Sequence, residues 1–380
     1  MLSTVEKRKP NMEGLFWITR VFLISYLASI MKNKEYPLLP LVHEFISKNN
    51  RNKRTQAGGK RLTKGTKKNY ERLRDHLVTF STTKDFYLRV KSVHGSRRLF
   101  EQEKNYYKKF YIKFTDYLFD DCKLFDNYVG VIIKQLKTVL GWLNREKGLT
   151  IGEFYKDFYK WKEDIQIIAL KPGQLNYLIQ NSEFHNSLTK PLQRSKDIFV
   201  FGCTTGLRVG DIFNLKKTSI EVLGTSHYLR QQSKKTNTFT KIKLPPYAIE
   251  VLTRNKVRGP SLLPPLSIAN FNTNVKKIIE KAGWDHLYPK TRNRRGVPVT
   301  IYKNHKRKVH YRFCDLVSSH TMRRTAITTL LNLGMDESDV RRISGHAPGS
   351  VEFYKYVKYS QEKLDISSDN IFKKLTEKVL

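Results

Sequence analysis

Ser318 to Tyr359 reads SSHTMRRTAITTLLNLGMDESDVRRISGHAPGSVEFYKYVKY. His320 and Arg323 are three residues apart on a segment that Ser318 or Ser319 can cap, so the pair shares one helix face. Gly334 ends that segment, and Asp336 with Asp339 resembles a capping box for the next. Gly345 and His346 follow, then a tyrosine-rich run with Tyr354, Tyr356 and Tyr359. Upstream, Thr204 to Ile212 reads TTGLRVGDI, with Arg208 just after Gly206, where a glycine lets the backbone turn into a new helix.

These residue types suit one chemistry. A guanidinium is a planar fork that can give two parallel hydrogen bonds to neighbouring oxygens of a phosphate. Two arginines from separate helices and two imidazoles can surround a pentacoordinate phosphorane, each well-aimed donor being worth about 3 to 4 kcal/mol. A tyrosine attacking phosphorus gives a phosphotyrosine that stores the bond for rejoining. Its phenol, with a free pKa of about 10, needs help in losing its proton. A departing 5′-oxygen needs an acid, for which Lys234 or Lys235 is available. Taken singly the pieces have plainer explanations: H-x-x-R recurs in any basic chain, Gly-His caps helices, and late tyrosines pack. Arg324, Arg341 and Arg342 also compete with Arg323. The order and spacing of the set carry the argument.

Composition points the same way. Of 380 residues, 71 are Lys or Arg against 34 acids, a formal charge of +37. Such self-repulsion calls for a polyanionic partner, with nucleic acid the first choice. The basic residues are spread along the chain and not gathered on one amphipathic helix, which argues against a membrane surface. Cys122, Cys203 and Cys314 have neither disulfide nor zinc spacing and read as small packing residues in a reducing cytoplasm. Gly14 to Ile30 is apolar but interrupted by Arg20, and its remainder is too short to span a bilayer.

The chain is long enough for two domains. Residues 1–35 have no assignable role. Residues 36–167 read as a small helical domain with three stripes at helical spacing: Tyr70, Leu73, Leu77 and Phe80; Tyr107, Phe110, Tyr111, Phe114 and Tyr117; and Ile132, Leu136, Val139, Leu140 and Leu143. Aromatic stripes of this kind are core before they are stacking platforms. Arg51 to Tyr70 holds eight basic residues, no acids and three glycines, a connector whose Lys60, Arg61, Lys64, Lys67 and Lys68 are candidate DNA contacts. Residues 168–380 form the second domain. There His227 to Gln232 and Thr240 to Leu244 alternate like strands, with Lys234 and Lys235 on the turn between them. Asp285 to Arg312 is an irregular basic insertion, with a strand expected at Val297 to Tyr302 and with Arg294 and Arg295 as further candidate DNA contacts.

The boxes TGLRVGD, SHTMRR, SGH and YKYVK resemble those of tyrosine recombinases, the phage integrase family. With QQSKKT before the second strand, their style is most similar to integrases of Bacteroidetes mobile elements. The resemblance covers Ile168 to Ser360, and the helical domain, residues 36–167, resembles the family's core-binding (SAM-like) DNA-binding domain in layout only. It implies a mainly α fold with a small antiparallel β-sheet, its two domains forming a C-shaped clamp around double-stranded DNA. It also implies site-specific cleavage and rejoining through a 3′-phosphotyrosine, a homotetrameric synapse, a Holliday junction, and no metal or ATP. Accessory DNA-bending proteins and a cytoplasmic, nucleoid-associated setting go with that reading. Carried over, Arg208 and Arg323 clamp the phosphate, His320 assists proton transfer, and His346 bonds the phosphate. Asp211 falls where the family places a supporting acid. Tyr356, whose following Val-Lys matches the family's tail, is the nucleophile ahead of Tyr354, and Lys235, directly before Thr236, is the acid ahead of Lys234. Two other readings are a type IB topoisomerase and a non-catalytic DNA-binding protein on the same fold.

Overall fold

The computed structural model describes residues 35–50, 62–91, 97–149, 151–232, 239–358, 368–369, 371–373 and 376. It divides into two compact units, one of Met1–Asp164 with Thr291–Val299 and one of Ile165–Lys290 with Thr300–Leu380.

The first unit contains β1 (Glu35–Pro37), α1 (Leu38–Asn50), α2 (Lys64–Thr83), β2 (Arg89–Lys91), α3 (Arg97–Asp116) and α4 (Asp126–Glu146). The three stripes read from the sequence become its core. Tyr70, Leu73, Leu77 and Phe80 of α2 are buried, as are Tyr107, Phe110 and Phe114 of α3 and the whole α4 set. Phe110 and Phe114 stack at 5.5 Å, and Phe80 meets Phe114 edge-on at 5.1 Å. Burying each such ring contributes about 1.5–3 kcal/mol. Helix α1 also belongs to this core through Leu38, Val42, Phe45 and Ile46, with Pro40 tolerated in its first turn.

The second unit runs through α5 (Pro172–Gln180), α6 (Ser182–Ser187), α7 (Lys190–Thr205) and α8 (Val209–Ile212). Next come β3 (Ile220–Leu223), β4 (Ser226–Gln232), β5 (Phe239–Leu244), α9 (Pro246–Arg254) and α10 (Ile268–Lys281). After the short strands β6 (Leu287–Tyr288), β7 (Lys290–Arg294), β8 (Val297–Ile301) and β9 (Tyr311–Arg312), the chain ends in α11 (Phe313–Leu316), α12 (Ser319–Asn332), α13 (Glu337–Ser344) and α14 (Val351–Lys358). The expected pair of strands is β4 and β5, with Leu229 opposite Ile242. A third strand, β3, adds an antiparallel edge in which Val222 faces His227. It has no buried face, hence no alternation to read. Helix α7 packs on α12 at Gly202, where an added Cβ would overlap Met322 Sδ and stand 3.1 Å from Ile212 Cδ1. This packing sets the distance between the two arginine-bearing segments.

The basic insertion is more ordered than its composition suggested. Strands β6 and β9 close its base, Leu287 opposite Arg312. Its tip is the β7–β8 hairpin, and Thr291–Val299 groups with the first unit and not with the domain in which the sequence placed it. The physical reason is a pair of buried carboxylates. Asp126, 1 % exposed, accepts the backbone N–H groups of Arg295 at 2.7 Å and Gly296 at 2.9 Å. Glu163 accepts the Asn293 N–H and the Arg292 guanidinium, the latter at 2.8 Å. Arg295 and Gly296 both have positive φ, 54° and 78°, the signature of a type I′ turn. A non-glycine residue resists that conformation. Asp126 compensates by holding both N–H groups of the turn.

Candidate active site

Glycine at the end of α7 starts the site. Gly206 caps that helix in the left-handed conformation (φ 64°), which starts the chain into Arg208 and α8. Arg323, on α12, gives an Nη1–H to that carbonyl at 3.0 Å. It is only 4 % exposed. Burial and the neighbouring Arg208 guanidinium pull its pKa down to about 10, against the opposing influence of Tyr356 and Asp211. Arg208 is half-buried at the N-cap of α8, and Asp211 is buried within it.

His346 stands two residues beyond α13, just after Gly345, which ends the helix with φ 62°. Its ring nitrogens lie 3.0 and 3.2 Å from Arg323 Nη2, and Nδ1 lies 2.8 Å from Ser344 Oγ. Burial, then Arg323 and Arg208, depress its pKa to about 3, so the imidazole is neutral at pH 7. The Tyr356 ring lies 6.0 Å from the His346 ring, centre to centre.

The two candidate tyrosines part here. Tyr356 is 9 % exposed and packs with Ile327, Leu331, Val340 and Phe353, whereas Tyr354 is 47 % exposed. Both lie on α14, two residues apart, and so project from different faces. The structure thus brings together Arg208, Arg323, His346 and Tyr356. His320 is exposed on the first turn of α12, one turn before Arg323. Beside His346 opens a cleft of about 610 Å³ lined by Lys241 of β5 and by Asp339, Arg341 and Arg342 of α13.

Lys235, with its rival Lys234, lies outside the described residues, between the paired Gln232 and Phe239. Lys60 and Arg61 also lie outside them. Lys64 and Lys68 are exposed and Lys67 half-buried on the first two turns of α2, which has no acid in its first turn. Arg294 bonds the Lys123 carbonyl and covers the Phe125 ring. Arg295 pairs with Asp116 at 2.7 Å and Asp120 at 2.8 Å. The sequence did not single out Ser344 as a site residue, although it stands in the SGH box. Nor did it single out Gly202, whose need for a bare Cα shows only once the helix it packs against is known. Among the described residues, no cluster of three or more His, Cys, Asp or Glu could hold a metal ion, and no helix is long and apolar enough to cross a membrane.

Residues 169–362 match the model of the phage integrase family, which places the whole candidate site inside the matched region. The chain belongs to the phage integrase family. Integrase folds of known structure agree. A lambda integrase dimer bound to a COC′ core site superposes with a TM-score of 0.55 at 14% identity, covering 89% of this chain and 81% of that one. The Tn1549 transposon integrase in complex with circular intermediate DNA gives 0.53 at 14% identity, covering 84% and 94%. The XerH recombinase on a palindromic difH substrate gives 0.52 at 12% identity, covering 87% and 95%. At these identities the likeness is one of fold, mainly helical with small antiparallel sheets. The search of curated proteins gave no match.

Proposed function

We propose that this integrase is a site-specific DNA recombinase that cleaves and rejoins duplex DNA through a 3′-phosphotyrosine at Tyr356, serving a mobile element of the kind its sequence boxes resemble. The observation that carries the reading is the packing of Tyr356, and not Tyr354, against His346 in the cluster built on Arg323. In the reaction, Tyr356 Oη forms a bond to phosphorus while the bond to the 5′-oxygen breaks. Arg208 and Arg323 face the charge that grows on the non-bridging oxygens. A buried guanidinium is already desolvated, so its pull on that charge is strong and needs no reorganisation. His320 is the imidazole available to the tyrosine proton, His346 bonds the phosphate, and Lys235 is the donor to the leaving oxygen. No metal and no ATP enter this scheme, because the phosphotyrosine conserves the bond. Four protomers on two duplexes supply the strands to be exchanged.

The lysines at the start of α2 sit where the helix dipole disfavours cations and favours anions, an arrangement that a DNA phosphate relieves. Double-stranded DNA is therefore the proposed partner for Lys64, Lys67 and Lys68, with Lys60 and Arg61 beside them in sequence.

A nicked suicide substrate tests the reading. Wild-type protein and Tyr354→Phe should form a covalent adduct that Tyr356→Phe does not. An adduct lost in Tyr354→Phe and kept in Tyr356→Phe moves the nucleophile, and an adduct kept in both removes the tyrosine mechanism. Relaxation of plasmids lacking any special site would point instead to a type IB topoisomerase.

A further inference from the structure

Ser344 is the last residue of α13 and is 3 % exposed. Its Oγ lies 2.6 Å from the Val340 carbonyl and 2.8 Å from His346 Nδ1. A carbonyl oxygen only accepts, so the single hydroxyl hydrogen goes to Val340. Two oxygens at 2.6 Å without a hydrogen between them would repel. What Oγ offers His346 is therefore a lone pair, and Nδ1 must bring the hydrogen. A neutral imidazole has one N–H, which leaves Nε2 bare.

The opposite side of the ring agrees. Arg323 Nη2 can only donate, and its shorter approach, 3.0 Å, is to Nε2. The donors then run in one direction, from Arg323 to His346 Nε2, from Nδ1 to Ser344, and from Ser344 to the Val340 carbonyl. Every hydrogen in the chain has an acceptor, and the approach of Arg323 Nη2 to the protonated Nδ1, 3.2 Å, is the longer of its two. The other groups around the ring are Arg208 ahead of α8, Tyr356 on α14, and Lys241, Asp339, Arg341 and Arg342 in the adjoining cleft.

We propose that Ser344 is a positioning residue that holds His346 as the Nδ1–H tautomer, keeping Nε2 a hydrogen-bond acceptor at the centre of the arginine cluster. The role rests on the recombinase reading for its chemical meaning. In this form His346 cannot donate to a phosphate oxygen from Nε2 while it is neutral; it can take up a proton there. A proton taken up there when an entering phosphodiester favours the charged ring turns Nε2 into a donor to the phosphate. Once charged, the ring donates from both nitrogens, and Ser344 still accepts from Nδ1. The serine therefore serves both protonation states without turning its own hydrogen.

The test is a two-bond nitrogen–proton correlation spectrum of the full-length protein labelled with 15N-histidine, with His346 assigned by its absence in His346→Asn. In the wild type the protonated nitrogen of His346 should be Nδ1, its hydrogen exchanging slowly with water. Ser344→Ala should lose that protected signal and populate Nε2–H. Ser344→Thr, which keeps the Oγ, should restore the wild-type pattern, so that a folding defect in the alanine variant is not mistaken for the effect. Cleavage of the nicked substrate should fall by roughly 10- to 100-fold in Ser344→Ala, the usual cost of losing a group that orients a functional imidazole in metal sites, and recover in Ser344→Thr. An Nε2–H signal in the wild type overturns the inference, whatever the protein does to DNA. An Nδ1–H signal in a protein that forms no adduct leaves the tautomer in place and removes the recombinase reading instead.

Discussion

Replacing Asp126 with alanine should free the tip of the β7–β8 hairpin. The carboxylate is almost wholly buried and accepts two backbone N–H groups, from Arg295 and Gly296. Hydrogen bonds to a charged group are worth about 1.5–3 kcal/mol each. Taking the lower figure for each bond, because the tip residues themselves are exposed, gives about 3 kcal/mol. That corresponds to roughly a hundredfold rise in local opening, at about 1.4 kcal/mol per factor of ten. Arg295 adds strain to the balance, since it holds a positive φ that the grip of Asp126 on its N–H helps to compensate. Amide hydrogen exchange reads this directly, because protection reports the free energy of local opening. In Asp126→Ala the Arg295 and Gly296 amides should exchange about a hundred times faster, while amides in the second unit's core helix α7 stay as they were. Glu163→Gln should act on the same hairpin through Asn293 and Arg292, so the double variant should fall short of additivity. Unchanged exchange at Arg295 and Gly296 in Asp126→Ala would refute the reasoning and leave the tip held by its guanidinium pairs alone.

Gly202→Ala places a methyl group against Met322, the neighbour of Arg323, and should lower stability by about 1–3 kcal/mol through overpacking; an unchanged Tm would show that the methionine gives way freely. The low pKa of His346 predicts a pH effect with a definite sign. The unfolded chain takes up a proton near pH 6.5 and the folded one only near 3, so the stability contributed by the neutral ring is complete above about 6.5 and is lost as pH falls toward 3. Urea midpoints of wild type and His346→Asn at pH 7 and pH 4.5 check this: the wild type should lose more. Neutralising Lys60, Arg61, Lys64, Lys67 and Lys68 together should flatten the log-log salt dependence of DNA binding, by about 0.9 for each phosphate contact removed. An unaltered slope would assign those lysines to solvent.

The reading of the sequence succeeded where a period or a motif states a local requirement. The stripes of α2, α3 and α4 define their buried faces, because helical spacing and apolar type coincide in Tyr70, Phe110 and Leu136. Gly206 and Gly345 mark helix ends, and both adopt the positive φ such ends require. Reading failed where the cause lies far away in the chain. The residues 291–299 read as part of an irregular basic insertion because their partners, Asp126 and Glu163, stand well over a hundred positions earlier and carry no local sign of buried charge. The sequence favours Tyr356 over Tyr354 only through the Val-Lys that follows it, and the burial of Tyr356 in one cluster with Ile327 and Leu331 of another helix is a difference that no local pattern announces.

The electrostatics of the cluster explain why a site can hold its cations before its substrate arrives. Arg323 is buried beside another guanidinium, and its lowered pKa records the cost of that placement. The cost is limited by the Gly206 carbonyl on one side and by a neutral imidazole on the other. Were His346 charged, a third cation would stand within 3.2 Å of Arg323 Nη2, which is the arrangement its own depressed pKa avoids. A phosphodiester entering among these groups reverses both shifts at once, since its negative charge favours the guanidinium and the imidazolium alike. Binding of substrate should therefore draw a proton onto His346 at the pH where the free site holds none. Isothermal titration with DNA in buffers of different ionisation enthalpy measures that uptake. It should appear at pH 7 in the wild type and vanish in His346→Asn; equal uptake in both would place the proton elsewhere and break the link between the buried arginine and the neutral histidine.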